Sequence, residues 1–116
     1  MRCVSELLQA DILVIATPMW NFSVPSALKA WVDHVVRAGL TFEMSAEGPR
    51  GLLRNKKAII VTSAGGLCAQ GPLEGWDACG GYLKNLLHFL GVSEVEWIRS
   101  EGRAMPGAER VIRALV

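Results

Sequence analysis

Two short apolar runs, Ile12-Leu13-Val14-Ile15-Ala16 and Ala58-Ile59-Ile60-Val61-Thr62, constrain the fold of this chain more than anything else in it. Each is too short for a typical helix and lacks the alternation of a strand with one wet face, so both read as buried parallel strands. Parallel neighbours need a crossover of a dozen or more residues, usually helical. The segment between the runs supplies one. From Pro25 to Ala38, Leu28, Trp31, Val32, Val35 and Val36 recur at the 3.6-residue period, with Lys29, Asp33 and Arg37 on the other side. Gly39 is the expected left-handed cap at its end.

The flanking segments extend the pattern. Val4, Leu7 and Leu8 have helical spacing and lead through Ala10-Asp11 into the first strand. A chain that opens on the closing turns of a helix and then enters a buried parallel strand points to an absent preceding segment. Residues 40–57 are long for a connection in an α/β unit, with turns at Gly48-Pro49 and Gly51 and short extended pieces at Thr41-Phe42 and Leu52-Leu53. Phe42 either covers a ligand or pins this loop to its own core. Tyr82, Leu83, Leu86, Leu87 and Leu90 form a second covering helix that stops at Gly91. Gly80-Gly81 should weaken its first turns by about 1 kcal/mol each relative to alanine unless close packing compensates. Val95-Glu96-Trp97-Ile98 is a third strand, partly alternating and so nearer an edge. Pro106 then opens an expected last helix with Ala108, Val111, Ile112 and Leu115 as its apolar stripe. The order predicts an α/β fold, a doubly wound parallel sheet with right-handed crossovers.

Composition narrows the function classes. The 116 residues suit one domain, and twelve Lys or Arg against eleven Asp or Glu, with no block of either sign, leave no electrostatic footprint for nucleic acid. No apolar run approaches the roughly 20 residues of a membrane-spanning helix, and the N-terminus lacks the apolar core of a signal peptide, so a cytoplasmic protein is expected. Cys3, Cys68 and Cys79 form no CxxC pair and have only His34 and His88 for company, which argues against a disulfide framework and against a metal site. They read as buried, unreactive thiols, and both histidines as surface or packing residues.

Chemistry is expected where the strands end. In an open α/β sheet, ligands settle outside the carboxyl ends of the strands. The first run ends in Thr17-Pro18-Met19-Trp20-Asn21-Phe22-Ser23-Val24-Pro25, which is either a site for a flat ligand or a structural turn. The second ends in Ser63-Ala64-Gly65-Gly66, where adjacent glycines let backbone N–H groups approach a ligand and Ser63 adds a hydroxyl. Adjacent parallel strands bring both tips to one rim, which raises the weight of the ligand reading for each.

The ordered set Ala10-Asp11-Ile12, Pro18-Met19-Trp20-Asn21-Phe22, Leu28-Lys29, Arg37-Ala38-Gly39-Leu40-Thr41-Phe42, Gly48-Pro49, Lys56-Lys57-Ala58, Ser63-Ala64-Gly65-Gly66, Gly71-Pro72 and Glu101-Gly102 resembles FMN-dependent NADH azoreductases, which are flavodoxin-like NAD(P)H:quinone oxidoreductases. The resemblance covers nearly the whole chain. It implies that FMN is the cofactor and NADH or NADPH the electron donor. It further implies that Pro18, Met19, Trp20, Asn21 and Phe22 hug the isoalloxazine ring, with Ser63, Ala64, Gly65 and Gly66 at its pyrimidine end. Trp20 stands where the family often has Tyr, and Ala64 where a member carries Arg. The implied reaction is ping-pong, with hydride passing to flavin N5 and two electrons then passing to an azo compound or quinone. No residue is singled out as acid or base. The implied assembly is a homodimer with the helix around Trp31 and the 40–57 loop at its interface.

One departure is large. The family begins with a strand, a Ser-rich loop for the FMN phosphate, a helix and a second strand, and none of these precedes Met1. With strand order 2-1-3-4-5, only strands 3-4-5 are expected, leaving the edge of strand 12–17 bare. The chain therefore reads as an N-terminally incomplete flavodoxin-like domain over 1–116, with flavin affinity weakened by lost phosphate contacts. The alternative is a non-catalytic remnant that self-associates or docks on a complete homologue.

Overall fold

A computed structural model describes residues 2–64, 72, 74–101 and 111–115, with Glu101 and the last five through their backbone. Helix α1 (Arg2–Gln9) leads to strand β1 (Ile12–Pro18), helix α2 (Ser26–Val35), strands β2 (Phe42–Ser45), β3 (Gly48–Gly51) and β4 (Lys57–Ser63), helix α3 (Gly80–Leu90), and strands β5 (Glu94–Glu101) and β6 (Val111–Leu115). The main sheet has the order β1-β4-β5-β6, and β2 and β3 form a separate hairpin. β1, β4 and β5 are parallel and in register, so Ile15, Ile60 and Trp97 lie side by side, as do Pro18, Ser63 and Ser100 at the carboxyl ends. The three expected parallel strands are therefore adjacent in the expected order.

One continuous core joins Leu7 of α1, Val32 and Val35 of α2, and Leu83, Leu87 and Leu90 of α3 to Ala58, Ile60, Val95 and Trp97 of the sheet. Burying each of these larger aliphatic side chains contributes roughly 1.5–3 kcal/mol, which is why the helical stripes settle on the strands. All three helices share this core and so cover one face. Burial in β4 alternates along the strand accordingly. In β1, Ile12 and Val14 are 60% and 64% exposed. The expectation of burial on both faces is thus corrected: β1 ends the sheet, and its second face has no cover among the described residues.

Several local expectations shift for identifiable reasons. α2 stops at Val35 because Val36 turns extended, and the fully buried Thr41 hydroxyl donates to the Val35 carbonyl at 2.7 Å and accepts the Arg37 N–H at 2.9 Å. Gly39 has a φ of 85°, but it serves the following turn, donating to the Phe42 carbonyl, and does not cap the helix. The 40–57 segment is a hairpin whose strands pair Phe42 with Gly51 and Ser45 with Gly48. Phe42 lies against the core with its ring 5.2 Å from that of Phe89, which favours the pinning role. The hairpin comes so close to the end of α3 that a Cβ at Gly51 would stand 2.2 Å from the Leu90 backbone. A Cβ at Gly80 would stand 2.0 Å from the Trp97 indole, so close packing does compensate there, whereas Gly81 faces open space.

The last helix is not found where it was expected. Val111–Leu115 is a strand paired antiparallel to β5, from Trp97 opposite Leu115 to Glu101 opposite Val111. β-branched Val111 and Ile112 suit extended backbone, and five residues are too few for a helix to stand without packing. β5 is consequently an inner strand, and the edges fall at β1 and β6. Pro106 and Ala108 lie outside the described residues.

Candidate functional site

The site is built where β1, β4 and β5 end. Immediately beyond β1, the Met19 N–H donates to the Ser63 carbonyl at 2.7 Å, holding the first two strand tips level. The chain then reverses within four residues. Trp20 and Ser23 exchange backbone hydrogen bonds of 3.1 and 3.0 Å around Asn21 and Phe22, whose φ values are 53° and 66°. Positive φ at both central residues defines a type I′ turn. Asn tolerates this conformation, but for phenylalanine the left-handed region costs roughly 1–2 kcal/mol. Such strain persists only where neighbours over-determine it, and it clusters at ligand sites.

The neighbours here come from the segment before α3. The Ala78 N–H donates to the Phe22 carbonyl at 2.7 Å, and the Phe22 ring meets Trp76 edge-on, with centroids 5.3 Å apart and planes at 60°. Trp20 is 60% exposed, and Met19 packs against the core. The turn thus presents aromatic surface to solvent from a backbone fixed at both ends. Two open cavities flank it. One of about 320 Å³ lies among the strand ends at Pro18, Ser63 and Ser100, and one of about 420 Å³ is lined by Ser23, Val24, Lys29, Ala78 and Tyr82.

Of the residues expected here, Pro18, Met19, Trp20, Asn21, Phe22, Ser63 and Ala64 share this rim, and Gly65 and Gly66 lie outside the described residues. Ala64 is buried, and its N–H donates to the Ser100 carbonyl at 2.9 Å, which ties the end of β4 to β5. Sequence reasoning missed Trp76, Asp77 and Arg99. Asp77 Oδ1 accepts the N–H groups of Cys79 and Gly80, both at 2.9 Å, and so ties down the turn that enters α3; an Asp able to bond the backbone two residues on, just before an expected helix, was the available signal. Arg99 reaches the other Asp77 oxygen at 3.4 Å, with side chains only 11% and 6% exposed.

Two titratable groups beside the site are shifted from their ordinary values. Burial, with the Asp77 charge as a lesser cause, pushes the Cys79 thiol up to about 11, so it stays protonated at neutral pH. Cys3 and Cys79 are free thiols, and Cys68 lies outside the described residues. His34 and His88 are exposed. A 2.6 Å hydrogen bond from Lys29 to Asp33 raises the Lys29 amine above its ordinary value on an exposed helix face. Among the described residues no group of three or more His, Cys, Asp or Glu could hold a metal, and no helix is long and apolar enough to cross a membrane.

A three-stranded parallel sheet with helices between its strands and a fixed loop at its carboxyl rim is the architecture of a flavodoxin-like protein. A family profile described as having a flavodoxin-like fold matches residues 1–115, and the chain belongs to that family. It is 51% identical over 112 residues to an FMN-dependent NADH:quinone oxidoreductase of Herminiimonas arsenicoxydans, an alignment that covers 97% of this chain and 54% of that one. An azoreductase from Bacillus anthracis superposes with a TM-score of 0.84 at 31% identity, covering 89% of this chain and 50% of the other. An FMN-dependent NADH-azoreductase of the same species, solved in complex with FMN, gives 0.84 at 28% identity and the same coverage. The chain therefore spans about half the length of the relatives it matches.

Proposed function

We propose that this chain carries the ring-binding part of an FMN-dependent NAD(P)H oxidoreductase site, acting on quinones or azo compounds. The observation that carries the reading is the strained Asn21–Phe22 turn, fixed beside the level strand ends Pro18, Ser63 and Ser100. A flat heteroaromatic ring suits such a place: Trp20 and Phe22 offer apolar surface, and the rim offers backbone polar groups. Met19, Trp20, Asn21 and Phe22 would lie along the isoalloxazine, with Ser63, Ala64, Gly65 and Gly66 at its pyrimidine end. FMN would supply the two-electron redox chemistry, and the protein's part is to orient the ring and shield it from water.

The relatives' names, which specify FMN, NADH and quinone, support this reading. Cys79, whose thiol burial holds in the protonated form, is not the nucleophile of this site. The reading includes a homodimer and a cytoplasmic setting, where free thiols such as Cys3 and Cys79 stay reduced. Titration of the purified chain with FMN tests it, followed by an assay of NADH-dependent quinone reduction. Saturable quenching of flavin fluorescence with turnover is expected, and absence of flavin binding would sink the reading.

A second reading, non-catalytic association with a second copy or a longer homologue, is favoured by one observation. Ile12 and Val14 are exposed on β1, an edge strand, and exposed apolar edges invite pairing with another chain. Light scattering coupled to size exclusion, with and without Val14→Lys, tests it: a dimer that V14K does not weaken speaks against β1 as the contact.

A further inference from the structure

Arg99 and Asp77 form a nearly enclosed ion pair that no part of the proposed redox chemistry uses. Arg99 sits on β5 level with Thr62 of β4 and Thr17 of β1, one residue inside the rim. Its guanidinium carbon lies 3.7 Å from the centroid of the Trp97 ring, and Trp97 is in turn fixed by a 3.0 Å hydrogen bond from Nε1 to the Thr62 hydroxyl. Arg99 Nε is buried and has no hydrogen-bond partner among the described residues. A buried cation with one donor unmet is costly, and a hydrophobic pair of similar volume would serve stability as well or better. What the pair does achieve is geometric. Asp77 spends one oxygen on the Cys79 and Gly80 N–H groups and the other on Arg99, which fixes the segment entering α3 against β5.

That segment also holds the Phe22 turn. Ala78, next to Asp77, donates to the Phe22 carbonyl, and Trp76, on its other side, packs on the Phe22 ring. A continuous line of contacts thus runs from Trp97 and Arg99 through Asp77 to Ala78 and Phe22. We infer that Asp77 and Arg99 are positioning residues which hold the Trp20–Phe22 turn in its ligand-ready conformation. The consequence for flavin rests on the function proposed above; the tether itself does not.

Asp77→Asn is the discriminating variant, because an amide oxygen still accepts the two helix N–H groups while the charge facing Arg99 is gone. Arg99→Met, which keeps length and removes the cation, is the second variant, and Arg99→Lys the conservative rescue. Two readouts are taken on the full chain: amide hydrogen exchange at Ala78, with Leu83 and Leu87 as internal references, and FMN affinity with the visible flavin spectrum. D77N and R99M should speed Ala78 exchange about tenfold without changing the two leucines, the scale of coupling carried by such networks. They should weaken FMN binding by a similar factor and shift the flavin bands, with R99K closer to the parent chain. A role in the entering turn alone would leave D77N like the parent. Ala78 exchange unchanged in both variants overturns the inference, whether or not flavin binds. An unaltered chain that takes up no FMN overturns the functional reading instead, and the tether is then decided by Ala78 exchange alone.

Discussion

The Met19 N–H donates to the Ser63 carbonyl over 2.7 Å, although 43 intervening residues separate them in the chain. This bond extends the parallel β1–β4 ladder one step past Pro18 and Ser63 and aims the following turn across the rim. Met19→Pro removes the donor and leaves the Ser63 carbonyl without it. A loss of about 1–3 kcal/mol is expected from the unmet partner, together with weaker flavin binding. Met19→Leu keeps the bond at similar volume and should cost less than about 1.5 kcal/mol. Urea unfolding and fluorescence titration with FMN measure both.

Phe22→Gly tests the turn. Glycine relieves left-handed strain of roughly 1–2 kcal/mol, while loss of the edge contact with Trp76 costs about 0.5–1.5 kcal/mol beyond the apolar area that Phe22 buries. The lost burial tips the balance, so thermal stability should fall modestly. Flavin binding should fall, because an aromatic surface is gone and the turn is loosened. A variant that binds flavin as the parent does would remove Phe22 from the site.

The two glycines that open α3 should respond in opposite directions. At Gly81 there is open space, and alanine gains up to about 1 kcal/mol of helix propensity. At Gly80 the new methyl would meet the Trp97 ring, and forced repacking of that kind costs typically 1–3 kcal/mol, more than the propensity returns. Chemical denaturation of G80A and G81A reads the difference directly.

Cys79 gives stability a pH dependence in the alkaline range. Its thiol is raised in the folded chain from 9.0 to about 11, so the folded state holds the proton more tightly than the unfolded one. The contribution is fully present below pH 9 and is lost as pH climbs from 9 towards 11. Cys79→Ala should flatten that part of the stability curve. In the native parent at pH 7.5, Cys79 should resist a thiol-specific reagent that labels it on unfolding, with peptide mapping to assign the labelled site.

Much of this architecture is legible in the sequence. Ile12–Ala16 and Ala58–Thr62 announce strands, and the stripes through Leu28–Val36 and Tyr82–Leu90 announce helices, because local periodicity records which side chains must leave water. The placement of Trp20-Asn21-Phe22 and Ser63-Ala64 at strand ends was legible too, since parallel strands joined by right-handed crossovers bring their carboxyl ends to one rim. What periodicity cannot carry is partnership between distant segments. Val111–Leu115 fits a helical stripe and a strand equally well, and the free edge of β5 decided between them. β1 has the composition of a strand buried twice, yet cover on its second face is a matter of which elements reach it. The strain at Phe22 and the link from Arg99 through Asp77 to Ala78 exist only once β5, the α3 entry and the turn after β1 are folded together. The sequence by itself determined the three parallel strands, the helices between them and the rim, through local burial. The tertiary structure alone decided the held turn, through contacts between segments far apart in the chain, Phe22 with Ala78 and Asp77 with Arg99.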